Sequence, residues 1–132
     1  IAYWALGAAL APGGRPDEAI PMVEKAIRLS PQDPLMHEFL FAMASAHFAA
    51  GRYQEAMRFA QRSLDIEAEQ PGAYRVLAAA NGFLGRIVDA QAALDQMLML
   101  APDLSAEHLR SFLPDHAVDK YVDGLRKAGW KG

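Results

Sequence analysis

Four histidines, His37, His47, His108 and His116, are the residues of this sequence best suited to bind a metal ion or to transfer a proton. Ten residues separate His37 from His47, so the two lie nearly three turns apart on a helix. None of the four has the close spacing that zinc sites use. We therefore predict no metal ion, and we interpret His47 as an interior side chain that is hydrogen-bonded across a pair of helices.

Other arrangements that could support catalysis are also missing from the sequence. No serine has the Gly-x-Ser-x-Gly context of an activated nucleophile, and the glycines at positions 13, 14, 82 and 85 do not form a phosphate-binding loop. Neighbouring carboxylates, such as Asp17 with Glu18 and Glu67 with Glu69, fit solvated faces near helix ends. We predict that the chain is not an enzyme and uses no cofactor.

Two further polar features allow two interpretations each. Arg58 and Arg62 are one helical turn apart, where they could meet an anionic partner, but a solvated face is the interpretation that we favour. Asn81 lies where the helical pattern would place an apolar residue, so its amide needs a hydrogen-bond partner. It either has a partner within the fold, which we favour, or contacts a ligand in a groove.

Composition limits the class of protein further. Hydrophobic residues make up 52% of the 132 residues and charged residues 22%, as in an ordinary folded protein. The net charge of −3 argues against nucleic acid as a partner. The chain has no cysteine, which excludes disulfides and thiolate metal sites, and no apolar run reaches the ~20 residues of a membrane span. We expect a cytoplasmic protein without a membrane span.

A short pattern occurs three times and organises the chain. It consists of Gly-Arg, a spacer, one or two acidic residues and then Ala, and it begins at Gly14, Gly51 and Gly85. The intervals are 37 and 34 residues. A period in this range is typical of stacked helical repeats.

Apolar residues recur at helical spacing along the whole chain, and no stretch alternates as a strand would. The first predicted helix presents Tyr3, Leu6 and Leu10 on one face. A short helix ends near Phe112, and the last helix directs Lys120 towards solvent, so that a polar face closes the end of the stack. The remaining helices are predicted at residues 16–29, 34–50, 53–66, 71–84, 87–100 and 117–128.

The three copies resemble the tetratricopeptide repeat (TPR), a helix–turn–helix unit of 34 residues. The first copy matches cleanly from Tyr3 to Pro31. In the middle copy, three extra residues lengthen the preceding loop, His47 replaces an aromatic or aliphatic residue, and Ala68 replaces the closing proline. The residues of the third copy that match the packing positions, the turn and the proline are Tyr74, Leu77, Ala78, Gly85, Ala90, Leu94, Met97 and Pro102.

This resemblance implies an all-α fold, a right-handed superhelix of three helix–turn–helix units followed by capping helices. The units would span about residues 1–33, 34–70 and 71–103, and the caps about residues 104–130. It also implies a non-catalytic function in protein–protein interaction.

A second resemblance concerns the particular amino acids found within the repeats. Residues 14–34, 46–56 and 72–80, with the closing residues 125–130, are similar to the TPR tails of bacterial class III adenylate/guanylate cyclase-like proteins and related multidomain regulators. This implies a signalling protein whose catalytic domain lies outside the chain. Because the sequence starts at Ile1, without methionine and within a helical pattern, we expect a fragment of a longer protein.

The first helices of the three units are uncharged over residues 1–14, 39–51 and 76–85. The resemblance places these helices on the concave face of the stack, so it implies an apolar groove. A contiguous apolar patch usually marks a contact site. The expected groove residues are Trp4, Ala8, Glu38, Phe41, Ser45, Phe48, Arg75, Val76, Ala79 and Phe83.

The expected partner is a protein or peptide that presents an amphipathic helix or an extended apolar segment. It could belong to the same polypeptide or to a second copy, and the C-terminal helices could themselves fill the groove. Arg75 is the only basic residue of the groove, which argues against recognition of a chain-terminal carboxylate by a basic cluster. Two alternative functions remain: the regulatory tail of a cyclase, and an oligomerisation element that pairs through Trp4 or the first helix.

Overall fold

The computed structural model describes residues 16–29, 32 and 34–132, and these residues contain no strand, which confirms the all-α prediction for them. The predicted first helix lies outside the described residues. None of the described helices is long and apolar enough to cross a membrane. The helices are α1 (Pro16–Leu29), α2 (Met36–Ala49), α3 (Tyr53–Ile66), α4 (Pro71–Phe83), α5 (Ile87–Leu100), α6 (Ala106–Arg110) and α7 (Asp115–Lys127).

Two glycine turns join α2 to α3 and α4 to α5 in the same way. Gly51 and Gly85 adopt φ angles of 81° and 75°, a left-handed region that glycine enters without steric cost. After α2, the Gly51 N–H donates to the Phe48 carbonyl at 3.0 Å and the Arg52 N–H donates to the His47 carbonyl at 2.9 Å. The corresponding bonds after α4 measure 3.2 and 3.0 Å. Such paired bonds form the Schellman ending of a helix, so the Gly-Arg pattern marks one type of turn in both places.

The buried apolar side chains form two clusters, and α2 contributes to both. The smaller cluster joins α1 to α2 and includes Val23 and Met43, which are fully buried. The larger cluster runs from Phe48 through α3, α4 and α5 to the tail, where Leu109 and Leu125 are fully buried. Helix α2 is apolar nearly all round because it packs against neighbours on both sides.

Helix α7 packs against α4 so closely that the two backbones nearly touch. A β-carbon built at Gly124 of α7 would lie 2.7 Å from the Ala79 Cβ and 2.8 Å from the Ala79 carbonyl oxygen. A β-carbon at Gly82 of α4 would clash with the Gly124 carbonyl oxygen. The small residues Ala79, Gly82 and Gly124 therefore set the distance between the two helices.

We expect Gly124→Ala to destabilise the fold by about 1–3 kcal/mol, because the added methyl group overpacks the contact with Ala79. The sign of this change in unfolding free energy is informative, since replacing glycine by alanine inside a helix would otherwise stabilise the helix by about 1 kcal/mol. Urea unfolding followed by circular dichroism measures the difference. The control is Asp123→Ala on the exposed side of the same helix. A Gly124→Ala chain at least as stable as this control would contradict the close contact.

Candidate protein-binding site

The expected groove residues differ in exposure. Trp4 and Ala8 lie outside the described residues, and Glu38 is exposed. The half-buried members are Phe41, Ser45 and Phe83. The buried members, none more than 9% exposed, are Phe48, Arg75, Val76 and Ala79. Much of the surface that the sequence assigns to a groove is therefore covered in this chain.

An aromatic cluster fixes α7 against the end of α2. The rings of Phe48 and Tyr121 stack with their centroids 4.4 Å apart and their planes 10° apart. The Phe83 ring lies 6.1 Å from that of Phe48 and stacks on Tyr53 at 4.8 Å. Phe48 thus contacts the C-terminal helix of its own chain where we expected the apolar side chain of a partner. Covering these rings removes a large apolar area from water, which favours the arrangement.

Lys120 attaches α7 to the C-terminal end of α2. Its Nζ donates to the carbonyls of Phe48 at 2.7 Å and Ala49 at 3.2 Å, and it lies 5.1 Å from the Phe48 ring centroid and 5.2 Å from that of Tyr53. The last carbonyls of a helix lack partners within it and carry partial negative charge, so a cation binds there favourably. Burial lowers the pKa of Lys120. The expectation that Lys120 faces solvent is wrong, because helical spacing does not reveal an acceptor 72 residues away.

Arg75 is buried beside the tail, and the described residues give it no ion-pair partner. Its guanidinium carbon lies 4.7 Å from the Tyr121 ring centroid and 5.7 Å from that of Phe112, within the range of cation–π contacts. Its Nε has no hydrogen-bond partner. Arg75 is therefore held by the aromatic side chains of the tail rather than standing at the edge of an open groove.

Helix α7 covers the Phe48 end of α2 and leaves part of the rest of that helix accessible. Glu38 is exposed there, and Phe41 and Ser45 are half-buried. The Phe41 ring lies over the start of α4, where a β-carbon at Gly72 would be 2.9 Å from the Phe41 Cζ. The open part of the expected groove is therefore apolar at Phe41 and polar on either side of it.

The arrangement of helix pairs agrees with a comparison against family models. The model described as tetratricopeptide repeat matches residues 1–68, just over half of the 132 residues. The chain belongs to the tetratricopeptide repeat family. The predicted TPR-type fold class is thereby confirmed, and membership indicates a protein-interaction repeat module. No curated protein matches the chain.

His47 and Asn81, the two polar residues that the sequence pattern places at interior positions, both have partners within the fold. His47 is 8% exposed, its Nδ1 accepts a hydrogen bond from the Arg52 Nε at 2.9 Å, and its ring stacks on Phe59 with the centroids 5.4 Å apart. The Asn81 Nδ2 donates to the Leu77 carbonyl at 3.0 Å. The described part of the chain contains no group of three or more His, Asp or Glu side chains placed to hold a metal ion.

The sequence analysis missed the tail residues that cover the TPR helices, namely Phe112, Lys120 and Tyr121. One signal for them was present in Gly124, because a glycine inside a helical pattern often has a packing reason. A second signal lay on α4, where Ala79 and Gly82 offer the small side chains that a close helix contact requires. Neither signal is enough to predict the contact between α4 and α7, since each concerns only one of the two helices.

We expect Lys120→Met to lower the free energy of unfolding by about 1–3 kcal/mol, because methionine keeps an apolar stem but removes the charged donor to the Phe48 and Ala49 carbonyls, of which the Phe48 carbonyl keeps only the Gly51 N–H among the described residues. Urea unfolding measures this difference. Lys127→Met is the matched control, because Lys127 is exposed on the same helix. Equal stabilities of the two variants would show that Lys120 does not attach α7 to α2.

The pH dependence of stability should carry a contribution from His47. Its pKa is lowered, first by burial and second by the Arg52 guanidinium, from the value of 6.5 expected for the unfolded chain. The unfolded chain therefore binds a proton more readily than the folded chain. We expect the stabilising contribution to be complete above pH 6.5 and to be lost as the pH falls from there through the folded pKa.

Urea unfolding at pH values from about 7.5 to 5.5 tests this dependence, because the carboxylates titrate mostly below that range. His47→Phe keeps an aromatic ring against Phe59 and removes the titrating group, so it should flatten the profile. His116→Gln replaces an exposed histidine and should keep the slope of the wild type. An unchanged slope in His47→Phe would rule out the assignment.

Proposed function

We propose that this chain is a non-catalytic protein-interaction module that works through the face formed by the first helices of its TPR units. The partner is a protein that presents an amphipathic helix or an extended apolar segment. The observation that carries the proposal is that this face already binds an amphipathic helix, α7, through stacked rings and a cation on the carbonyls of α2. A surface that accepts one such helix has the chemistry to accept another beside it.

In this proposal α7 is a fixed part of the binding surface. The close contact at Gly124 and the bonds of Lys120 to two carbonyls hold it on α4 and α2. The partner therefore lies along the accessible strip of α2, where it contacts Phe41 and Ser45 and passes Glu38 at the edge. Trp4 and Ala8, which lie outside the described residues, are included in the same proposed surface from the sequence alone.

The wider setting that we propose is a larger cytoplasmic signalling or regulatory protein, with TPR units at about residues 1–33, 34–70 and 71–103. The resemblance of the repeats to the tails of class III cyclase-like regulators supports it. Any catalytic chemistry would then belong to another part of that protein, and the present module would contribute recognition.

A photo-reactive phenylalanine analogue at position 41 tests the proposal in the native polypeptide within its source cell. We expect illumination to cross-link this position to a second protein, because the Phe41 ring lies in the proposed contact. The same analogue in place of Asp123, which is exposed on α7, is the control and should give no such product. Ser45→Lys places a charge in the contact and should reduce the yield at position 41 several-fold.

Two results would change the assignment. A yield at position 41 no higher than that at position 123 would contradict binding along α2. A product that contains only two copies of this polypeptide would assign the face to self-association.

A further inference from the structure

The two described TPR helix pairs, α2–α3 and α4–α5, can be compared position by position because each has a glycine turn, at Gly51 and Gly85. Three pairs of equivalent residues matter here, and two of the pairs differ. Four positions before the glycine, one pair has His47 and the other Asn81. One position after it, both have arginine, Arg52 and Arg86. Eight positions after it, one has Phe59 and the other Ala93.

In the α2–α3 pair the side chains of these residues contact one another. The Arg52 Nε donates to the His47 Nδ1 at 2.9 Å, and the His47 ring stacks on Phe59 with an interplanar angle of 3°. The Arg62 guanidinium carbon lies 5.4 Å from the Phe59 ring centroid. The aromatic stack therefore fills the space beside the turn.

In the α4–α5 pair the equivalent residues stay apart. Ala93 has no ring to fill the space, and the Arg86 side chain forms no hydrogen bond or ion pair with the described residues. The Asn81 Nδ2 donates a hydrogen bond to the Leu77 carbonyl, whereas the Asn81 Oδ1 has no hydrogen-bond partner in the described part of the chain. Asn81 is only 7% exposed, and it is one of the residues that line a groove beside the turn.

The result is a groove of about 550 Å³ between α3 and α5, with Tyr74, Leu77 and Asn81 of α4 as its floor. This volume is within the range of ligand sites. The corresponding groove between α1 and α3 measures about 320 Å³ and is lined by neither His47 nor Phe59. The larger groove uses a different face of α4 from the one that α7 covers, which includes Ala79 and Gly82.

The walls of the groove are rich in groups that both donate and accept hydrogen bonds. Gln54 and Gln61 line it from α3, and Gln96 lines it from α5. Arg86 and Asp89, at the start of α5, add one charge of each sign, and no ion pair joins them. On the α3 wall, by contrast, Arg58 forms an ion pair with Glu55 at 3.3 Å, so its positive charge is partly compensated.

We propose that the groove between α3 and α5 binds an extended peptide segment of a partner protein and recognises it through its backbone amides. An extended peptide presents N–H and C=O groups in alternation, and both need partners. The Asn81 Oδ1 and the Asp89 carboxylate can accept hydrogen bonds, Arg86 can donate, and the amides of Gln54 and Gln96 can do both. The Gln61 Nε2 already donates to the Asp65 Oδ1 at 3.1 Å, so Gln61 contributes mainly its carbonyl oxygen. Opposite charges on the α5 wall suit a segment of low net charge. Tyr74 and Leu77 supply an apolar floor for one of its side chains.

Selection of linear random peptides displayed on phage, with the wild-type chain as bait, tests this site. We expect enriched peptides that bind the Ala93→Phe chain at least ten-fold more weakly. That substitution copies Phe59 of the neighbouring helix pair and adds a ring at Ala93, a groove-lining residue that is 7% exposed. Phe41→Ser, on the face described under the proposed function, is the control and should leave the affinity unchanged.

Two further measurements keep the test decisive. If Ala93→Phe does not fold, the exposed double substitution Arg86→Ala with Gln96→Ala replaces it, and the same ten-fold loss is expected. Methylation of the backbone nitrogens of a selected peptide should abolish its binding. No enrichment, affinities that the groove variants leave unchanged, or full binding by the methylated peptide would each overturn the proposal. Peptides whose affinity falls only in the Phe41→Ser chain would bind the face along α2 instead of this groove.

Discussion

The contact between α4 and α7 is the constraint on which the rest of this structure depends. Ala79, Gly82 and Gly124 lack bulk, and so the two backbones approach until a single added carbon would clash. At that separation Tyr121 reaches the ring of Phe48 and Lys120 reaches the end of α2. A larger residue at position 124 would move all of these groups together, because they project from one rigid helix.

This contact also decides how much of the face formed by α2 and α4 remains accessible. The uncharged first helices would form an apolar groove if they were left bare, and the chain's own C-terminal helix covers part of it. What remains is an open strip along α2 on one side and a polar groove between α3 and α5 on the other. The two surfaces differ in chemistry, since one offers an aromatic ring and the other offers amides.

The sequence predicted those features that are encoded within a few residues. Helix α3 spans the predicted residues 53–66 and α5 the predicted residues 87–100, because a glycine turn sets the start of each and the helical pattern ends where the following loop begins. The cap of α6 is equally local, since the Ser105 Oγ accepts the His108 N–H at 3.0 Å. These signals are local, and tertiary packing reinforces them.

Features that depend on distant residues could not be predicted in this way. Phe41 and Phe48 both lie in the stretch of α2 that carries no Asp, Glu, Lys or Arg, yet Phe48 is buried and Phe41 only half-buried, because Tyr121 of the tail reaches the Phe48 end of α2. The same holds for Arg75, whose environment is set by Phe112 and Tyr121. Periodicity identifies the apolar side of a helix, but it does not identify the element that will lie against that side.

The bond between Lys120 and the Phe48 carbonyl spans 72 residues, and this separation has a consequence during synthesis. Translation adds about 5–20 residues per second, so a few seconds pass between completion of α5 and completion of α7. During that interval the apolar side of α2 and α4 is already made, while the helix that covers it does not yet exist. A chaperone that recognises apolar helices would therefore find on the nascent chain a binding surface that the finished protein has closed.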